Sequence, residues 1–115
     1  AIDAYMQTNI CNKHIVLKNE NETNVINTDD ILYFEVRGKE LYVCLEEEQI
    51  VCHQSISSVE DELTSKGFFR VHRSYLVNLD KIKRFDKNKV ELINGEKISV
   101  SSRQYSKLCR CWLKR

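Results

Sequence analysis

The stretch Gly67 to Leu79 reads GFFRVHRSYLVNL and decides the fold more than any other part of the chain. It opens with a glycine and two adjacent aromatic residues, and its apolar residues then alternate as they do in strands. Arg73 and Ser74 interrupt this apolar run at one point. We therefore expect a strand whose end projects the Arg73 side chain out of the fold. The alternative is a buried strand followed by an exposed turn with no special role. His72, just before the tip, is expected to be structural and to order the Arg73 loop by hydrogen bonding to its backbone.

Short strand signals continue on both sides of this stretch. The further predicted strands are His14–Lys18, Val25–Ile26, Asp30–Val36, Leu41–Leu45, Gln49–His53, Lys81–Phe85, Val90–Ile93 and Glu96–Val100. In the third of these, Leu32, Phe34 and Val36 alternate, and we expect them to share one face. Asn94-Gly95, between the last two, predicts a hairpin with a type I′ turn.

Two stretches change to a helical period. The first is Ser55–Lys66, where Ser57-x-x-Glu60 fits a capping box and Gly67 suits the left-handed position that ends a helix. The second is Ser101–Arg115, which closes the chain. The sequence therefore predicts a mainly β domain of short strands and hairpins, with one short internal helix and a C-terminal helix.

The composition is that of one ordinary globular domain. Its 115 residues are 42% apolar and 30% charged, and a chain of this length can bury a core without added cross-links. Five cysteines at irregular spacing predict free thiols in a reducing cytoplasm, with no disulfide framework and no metal site. The sequence shows no apolar run of membrane-spanning length, no signal peptide, no convergent titratable groups and no glycine-rich phosphate loop. We therefore expect neither an enzyme nor a bound cofactor, and no membrane contact.

Charge is distributed unevenly along the chain, although its sum is only +1. Residues 1–64 hold 4 lysines and arginines against 13 acidic residues, whereas residues 65–115 hold 14 against 4. This asymmetry predicts a basic face that binds a polyanion. Two alternatives stay open. The two signs could intermix on the folded surface, or a non-enzymatic β interaction or sensory domain could bind an acidic protein partner or an anionic surface.

Three strings of the sequence together resemble the LytTR domain, the DNA-binding output module of bacterial response regulators of the LytR/AgrA type. These strings are DILYFEVRGKELYV, GFFRVHRSYLVNLDKIKRF and LINGEKISVSSRQYSKL, and the resemblance runs from about His14 to Leu113. The chain departs from the family at Gln104, where a second arginine is more common. The resemblance implies an elongated fold of mostly antiparallel strands over residues 14–115, preceded by a linker or tail, residues 1–13, from a missing upstream domain.

The resemblance also implies which residues face double-stranded DNA. Three loops would read the major groove, and the candidates for base contacts are Arg73, Arg103 and, with its register less certain, Lys39. Arginine suits this role because its planar fork bonds O6 and N7 of guanine together. The candidates for phosphate contacts, which supply affinity without sequence information, are Arg37, Ser74, Asn78, Lys81, Lys83, Arg84, Ser101, Ser102 and Lys107.

The function implied by the resemblance is sequence-specific binding of promoter DNA by a cytoplasmic two-component transcriptional regulator. Two copies would form a dimer on DNA at imperfect direct repeats, because one copy that makes few phosphate contacts binds weakly at physiological salt. A receiver or sensory domain would lie upstream in the full-length chain.

Overall fold

Antiparallel strands form three separate sheets in the part of the chain that the computed structural model describes, residues 14–113. The expected tail, residues 1–13, lies outside that part, as do the last two residues. The strands are β1 (His14–Lys18), β2 (Thr23–Asn27), β3 (Ile31–Arg37), β4 (Glu40–Leu45), β5 (Gln49–Cys52), β6 (Phe68–His72), β7 (Tyr75–Asn78), β8 (Ile82–Phe85), β9 (Lys89–Leu92) and β10 (Lys97–Ser99). The helices are α1 (Ile56–Leu63) and α2 (Ser102–Leu113). The mainly β fold predicted from the sequence is confirmed, and its extents of 46, 33 and 24 Å make it elongated.

The central sheet has the strand order β5-β4-β3-β7-β6. Its middle strand, β3, is antiparallel to both β4 and β7, so the turn after β3 and the turn before β7 lie at the same end of the sheet. A backbone hydrogen bond joins these two ends directly, since the N–H of Val36 donates to the carbonyl of Ser74 at 2.9 Å. The β4–β5 turn, Glu46–Glu48, lies at the opposite end.

Both faces of the central sheet are covered, and each face has its own core. The β1–β2 hairpin and α1 cover one face, where Phe34 and Leu63 are fully buried. The three-stranded sheet β10-β9-β8 and α2 cover the other, where Leu92 and Leu108 are fully buried. Removing such side chains from water stabilises the fold by roughly 1.5–3 kcal/mol each.

Leu32 does not share a face with Phe34 and Val36, contrary to the prediction. It packs with Tyr33 in the core beneath α2, whereas Ile31 and Phe34 pack in the core beneath α1. The cause is a register shift between Ile31 and Tyr33 in the β3–β4 pairing. One extra residue at such a bulge reverses the alternation of side chains before it.

The β9–β10 hairpin contains Asn94-Gly95 as predicted, but its turn is not type I′. Within residues 14–113 only glycines have positive φ, so Asn94 does not adopt the conformation that a type I′ turn requires. Instead the N–H of Gly95 donates to the carbonyl of Leu92 at 2.9 Å, and Gly95 has a φ of 92°. This is the three-residue loop in which a glycine bulge follows the turn.

The first helix begins two residues earlier than the predicted capping box. The hydroxyl of Ser55, not Ser57, caps α1 by accepting from the N–H of Ser58 at 3.1 Å. Glu60 therefore lies beyond the first turn of the helix. The predicted end is confirmed, because a short 3₁₀ segment follows α1 and ends at Gly67, whose φ is 93°.

The cysteines in residues 14–113 are free. Cys44 and Cys52 are buried, and burial raises the pKa of both thiols to about 11. Cys109 and Cys111 on α2 are only half-buried. No group of three or more histidine, cysteine or acidic side chains within the described residues is arranged to hold a metal ion. No helix among them is long and apolar enough to cross a membrane.

Asn78 is a buried structural residue rather than a phosphate ligand, which corrects its place among the DNA-contact candidates. It is 2% exposed, and its amide nitrogen donates to the carbonyls of Thr28 at 3.3 Å and Ile31 at 2.9 Å. Its side-chain oxygen accepts from the N–H of Asp80 at 3.0 Å. The side chain thus joins β7 to the connection between β2 and β3, and no phosphate can reach it.

We predict that Asn78→Ala lowers the free energy of unfolding by roughly 2–3 kcal/mol, because it leaves buried backbone groups unpaired. Urea unfolding followed by the fluorescence of the single tryptophan, Trp112, measures the change. Asn94→Ala is the matched control, since that exposed side chain bonds only within its own turn and its loss should cost less than about 0.5 kcal/mol. Equal losses in the two variants would contradict the structural role of Asn78.

Candidate nucleic-acid interface

Three loops that carry predicted DNA contacts meet at one end of the central sheet. The turn after β3 and the Arg73-Ser74 turn are joined there by the Val36–Ser74 hydrogen bond. The segment that enters α2 is held beside them, because the N–H of Ser101 donates to the carbonyl of Val71 at 2.8 Å. Val71 is the extra residue of a bulge in the β6–β7 pairing. A bulge frees the backbone of one residue from the ladder, and here it fixes the start of α2.

An open cavity of about 530 Å³ lies between the Arg73 turn, α1 and the start of α2. We call it the basic cleft, because four cationic side chains line it: Arg70, Arg73, Arg103 and Lys107. The single carboxylate among its lining residues is that of Glu60, which pairs with Arg70 at 2.8 Å. The cleft therefore carries an excess of positive charge and suits an anionic ligand.

Arg73 and Arg103 are exposed on the rim of this cleft. Within residues 14–113 neither makes an ion pair, whereas Arg37, Arg70 and Arg84 each pair with a glutamate. Within the described residues, Arg73 and Arg103 therefore do not serve as ion-pair partners for the acidic residues of the first half. Both guanidinium groups keep their donors available for an external acceptor.

His72 orders the tip, as expected from the sequence. Its Nδ1 accepts from the N–H of Ser74 at 3.1 Å. Its ring lies 5.7 Å from that of Tyr75, whose hydroxyl donates to Glu35 at 3.2 Å. The loop that carries Arg73 is thus attached to the sheet on the β7 side.

The turn after β3 contributes its two cations unequally. The guanidinium of Arg37 lies 2.9 Å from Glu35, donates to Gln49 at 3.0 Å and stacks 4.3 Å over the ring of Tyr42. The hydrogen bond to Glu35 raises the pKa of Arg37 above its usual value. Arg37 is therefore already engaged within the protein. Lys39 is exposed, but it lines a separate shallow cavity beside the start of α1 and not the basic cleft.

The remaining candidates for phosphate contacts are divided between two regions. Ser101 and Lys107 line the basic cleft, Ser74 lies in the turn at its rim and Ser102 is the exposed first residue of α2. Lys83 and Arg84 are exposed on β8, where Arg84 lies 3.5 Å from Glu91.

Lys81 lies far from the cleft, in an acidic setting. It shares a cavity with Asp30 and the Glu46–Glu48 turn at the opposite end of the sheet. A phosphate would meet repulsion there, so the structure removes Lys81 from the set of DNA-contact candidates.

Sequence reasoning assigned no contact role to Arg70, Glu60 or Gln104, all of which line the cleft. From the sequence, Gln104 is a departure from the family pattern and Glu60 fits a capping box, and neither feature predicts a place in a cleft. One sequence feature could have indicated a role for Arg70. This cation interrupts an apolar strand, and the strand follows the acidic first predicted helix closely in the sequence. Nothing in the sequence placed α1 against β6.

Acidic side chains gather on the parts of the surface away from the cleft. Glu20, Glu22 and Glu40 lie together near β5, which is the edge strand opposite β6. The Glu46–Glu48 turn adds a second acidic region. Two acidic groups thus lie outside the cleft, although Glu60 of α1 lines the cleft itself.

Comparison with known proteins gives this geometry its context. Residues 21–112 match the model of the LytTR family, described as the LytTr DNA-binding domain. Over 74 residues the chain is 30% identical to the transcriptional regulatory protein NatR of Bacillus subtilis (strain 168). The aligned segment covers 64% of this chain and 32% of NatR. The chain thus spans about a third of the length of that relative.

A solved structure shares the fold. It is the LytTr DNA-binding domain of a Bacillus cereus protein described as a methyl-accepting/DNA response regulator. The two agree with a TM-score of 0.73 at 27% identity, over 90% of this chain and 98% of that one. The Arg73 turn and the start of α2 flank the basic cleft, and the turn after β3 lies beside them at the same end of the sheet. Together with the family match, this arrangement is that of a DNA-binding module. The chain belongs to the LytTR family of DNA-binding domains.

We predict that Lys107→Ala weakens binding to every DNA duplex several-fold at about 0.1 M salt and lowers the slope of log affinity against log salt by about one. The reason is that Lys107 lies in the basic cleft, where it adds to the attraction for phosphate. Fluorescence anisotropy with a labelled duplex over a salt series measures both quantities. Lys81→Ala is the control and should leave both unchanged, because acidic residues surround that lysine. An equal effect of the two changes would mean that DNA does not approach the cleft.

Proposed function

We propose that this domain is the output module of a bacterial transcriptional regulator and that it reads a specific base sequence in the major groove with its loops. One observation carries the proposal: Arg73, in the β6–β7 turn, and Arg103, in the first turn of α2, share one cleft and have no acidic partner within residues 14–113. A fork without an internal partner can bond the two acceptors that guanine presents in the major groove.

The cations of the cleft divide between two tasks. Arg73 and Arg103 contact base edges, and Lys39 is a third candidate from the adjacent turn. Ser74, Ser101, Ser102 and Lys107 contact phosphates and hold the domain in register, which fixes its orientation without reading sequence. Lys83 and Arg84, on β8, remain candidates for contacts with phosphates outside the cleft. Arg37 stabilises the turn after β3 through its contacts within the protein.

Two copies bind DNA together in this proposal. The intermediate extent of the domain, 33 Å, is close to one helical turn of about 34–36 Å, so one copy fits one turn when its 46 Å dimension lies across the duplex axis. Copies in the same orientation on one side of the duplex therefore suit direct repeats spaced by whole turns. Their linked binding compensates for the few phosphate contacts that one cleft can make.

The regulatory context follows from the relatives and is part of the proposal. NatR is a transcriptional regulatory protein about three times as long as the matched segment, and the Bacillus cereus domain comes from a response regulator. We propose that a receiver or sensory domain precedes this one in the full-length chain. Such a regulator would act in the cytoplasm, where the promoter lies.

We predict that selection from random duplexes yields one preferred motif, and that Arg73→Ala and Arg103→Ala each relax the preference at a different base position. Each good arginine–guanine pair contributes about 1–3 kcal/mol of discrimination, so each change should reduce the preference at its position about 5- to 150-fold. Arg84→Ala is the control, because it removes an equal charge outside the cleft and should leave the motif intact. If no motif is found and salt abolishes binding to all duplexes alike, the basic cleft serves another anionic partner and the proposal is wrong.

A further inference from the structure

The guanidinium of Arg70 bridges α1 and the turn that carries Arg73. Its Nη1 donates to Oε1 of Glu60 on α1 at 2.8 Å. Its Nε donates to the carbonyls of His72 and Arg73, each at 3.2 Å, and its Nη2 donates to the carbonyl of Arg73 as well. One side chain therefore bonds both backbone carbonyls that precede Ser74. We call Arg70 and Glu60 together the bracket.

The turn needs such support because its backbone departs from the favoured hairpin geometry. Only two residues, Arg73 and Ser74, separate β6 from β7. Two-residue hairpin turns match the twist of their strands when they have positive φ, yet no non-glycine residue in the described part of the chain has it. The β6–β7 register also shifts between Arg70 and His72. At this irregular end of the ladder, Arg70 donates to the carbonyls of both His72 and Arg73.

The chemistry of the bracket depends on arginine and on the acid behind it. A planar guanidinium can donate to a carboxylate along one edge and to two carbonyls along another, which the ammonium of lysine cannot reproduce in the same geometry. The Arg70 side chain is 22% exposed and that of Glu60 34%, so both are partly withdrawn from water. Glu60 orients the fork and neutralises a charge that would otherwise face DNA in the cleft.

We propose that Arg70 is a positioning residue for base readout and that Glu60 on α1 holds it in place. The bracket fixes the backbone from which Arg73 projects, so that the Arg73 fork meets one base pair in one orientation. This inference rests on the proposed function, because it assigns to Arg70 an effect on the specificity of Arg73. Orienting a bidentate donor in advance raises discrimination, since an improperly held fork can bond several bases about equally well.

Glu60 should then act on specificity and on affinity in opposite directions. Without its charge, Arg70 is held less firmly and the preference set by Arg73 falls. The cleft also becomes more positive, so binding to unrelated duplexes rises. General damage to the fold would lower both quantities together.

The test compares variants by the ratio of affinities for the selected site and for a site changed at the one base pair that Arg73→Ala relaxes. The variants are Arg70→Lys, Glu60→Gln, Arg73→Ala and the double variant Arg70→Lys/Arg73→Ala. Arg110→Lys is the matched control, because Arg110 is an exposed arginine of α2 that does not line the cleft. Urea unfolding confirms that each variant is folded, and Glu60→Gln keeps the test available if Arg70→Lys does not fold.

We expect Arg70→Lys to lower this ratio about tenfold, within the range that one arginine–base pair contributes. We expect no further loss in the double variant relative to Arg73→Ala, and no loss at the base pair that Arg103→Ala relaxes. Glu60→Gln should lower the ratio less, while strengthening binding to an unrelated duplex about twofold or more. Arg110→Lys should change neither quantity.

Two results would overturn the inference while leaving the proposed function intact. One is a wild-type motif whose Arg73-dependent position is unaffected by Arg70→Lys. The other is a uniform loss of affinity for all duplexes with a salt slope lower by about one, which would make Arg70 a phosphate contact. Two further results would remove the premise of the inference. If Arg73→Ala relaxes the preference at no base position, Arg73 does not read a base and Arg70 has no readout to position. If the wild-type chain shows no base preference at all, the proposed function is refuted as well.

Discussion

The antiparallel pairing of β3 with both β4 and β7 is the constraint on which the rest of the structure depends. It places the turn after β3 and the turn before β7 at one end of the sheet, and the Val36–Ser74 hydrogen bond closes that end. Because both faces of β3 are buried, its register cannot slip without exposing one of the two cores. The packing of the two cores therefore sets the positions of these turns, and the charges that the turns carry do not.

Charge separation on this frame gives the domain an orientation toward DNA. The basic cleft lies along the β6 edge, while acidic side chains occupy the β5 edge and the Glu46–Glu48 end. A net charge of +1 would supply little attraction if it were spread evenly. Concentrated in one cleft, the cations attract phosphate locally while the acidic regions repel it elsewhere, which favours one approach to the duplex. The exposed arginines at the rim lie on this basic side of the domain.

The sequence predicted the strands, the two helices and the three cation-bearing loops because these depend on local patterns. It failed where tertiary contacts decide the outcome. The bulge between Ile31 and Tyr33 moved Leu32 to the other core, and burial made Asn78 a structural residue although its polar side chain resembles a surface ligand. The partner of Arg70 lies 10 residues away on a helix, and no periodicity reports which helix covers which strand. The contact candidates that remain are exposed or half-buried side chains in turns, on β8 and at the start of α2.

The most direct test of the central claim, that three loops at one end of the sheet form the DNA surface, is a backbone amide NMR titration with the selected duplex. The account predicts that the largest shift changes fall on Gly38, Lys39, Arg73, Ser74 and the segment 101–103, with the Glu46–Glu48 turn unaffected. Changes centred on that acidic turn, or on β8–β10 with the three loops unaffected, would contradict it.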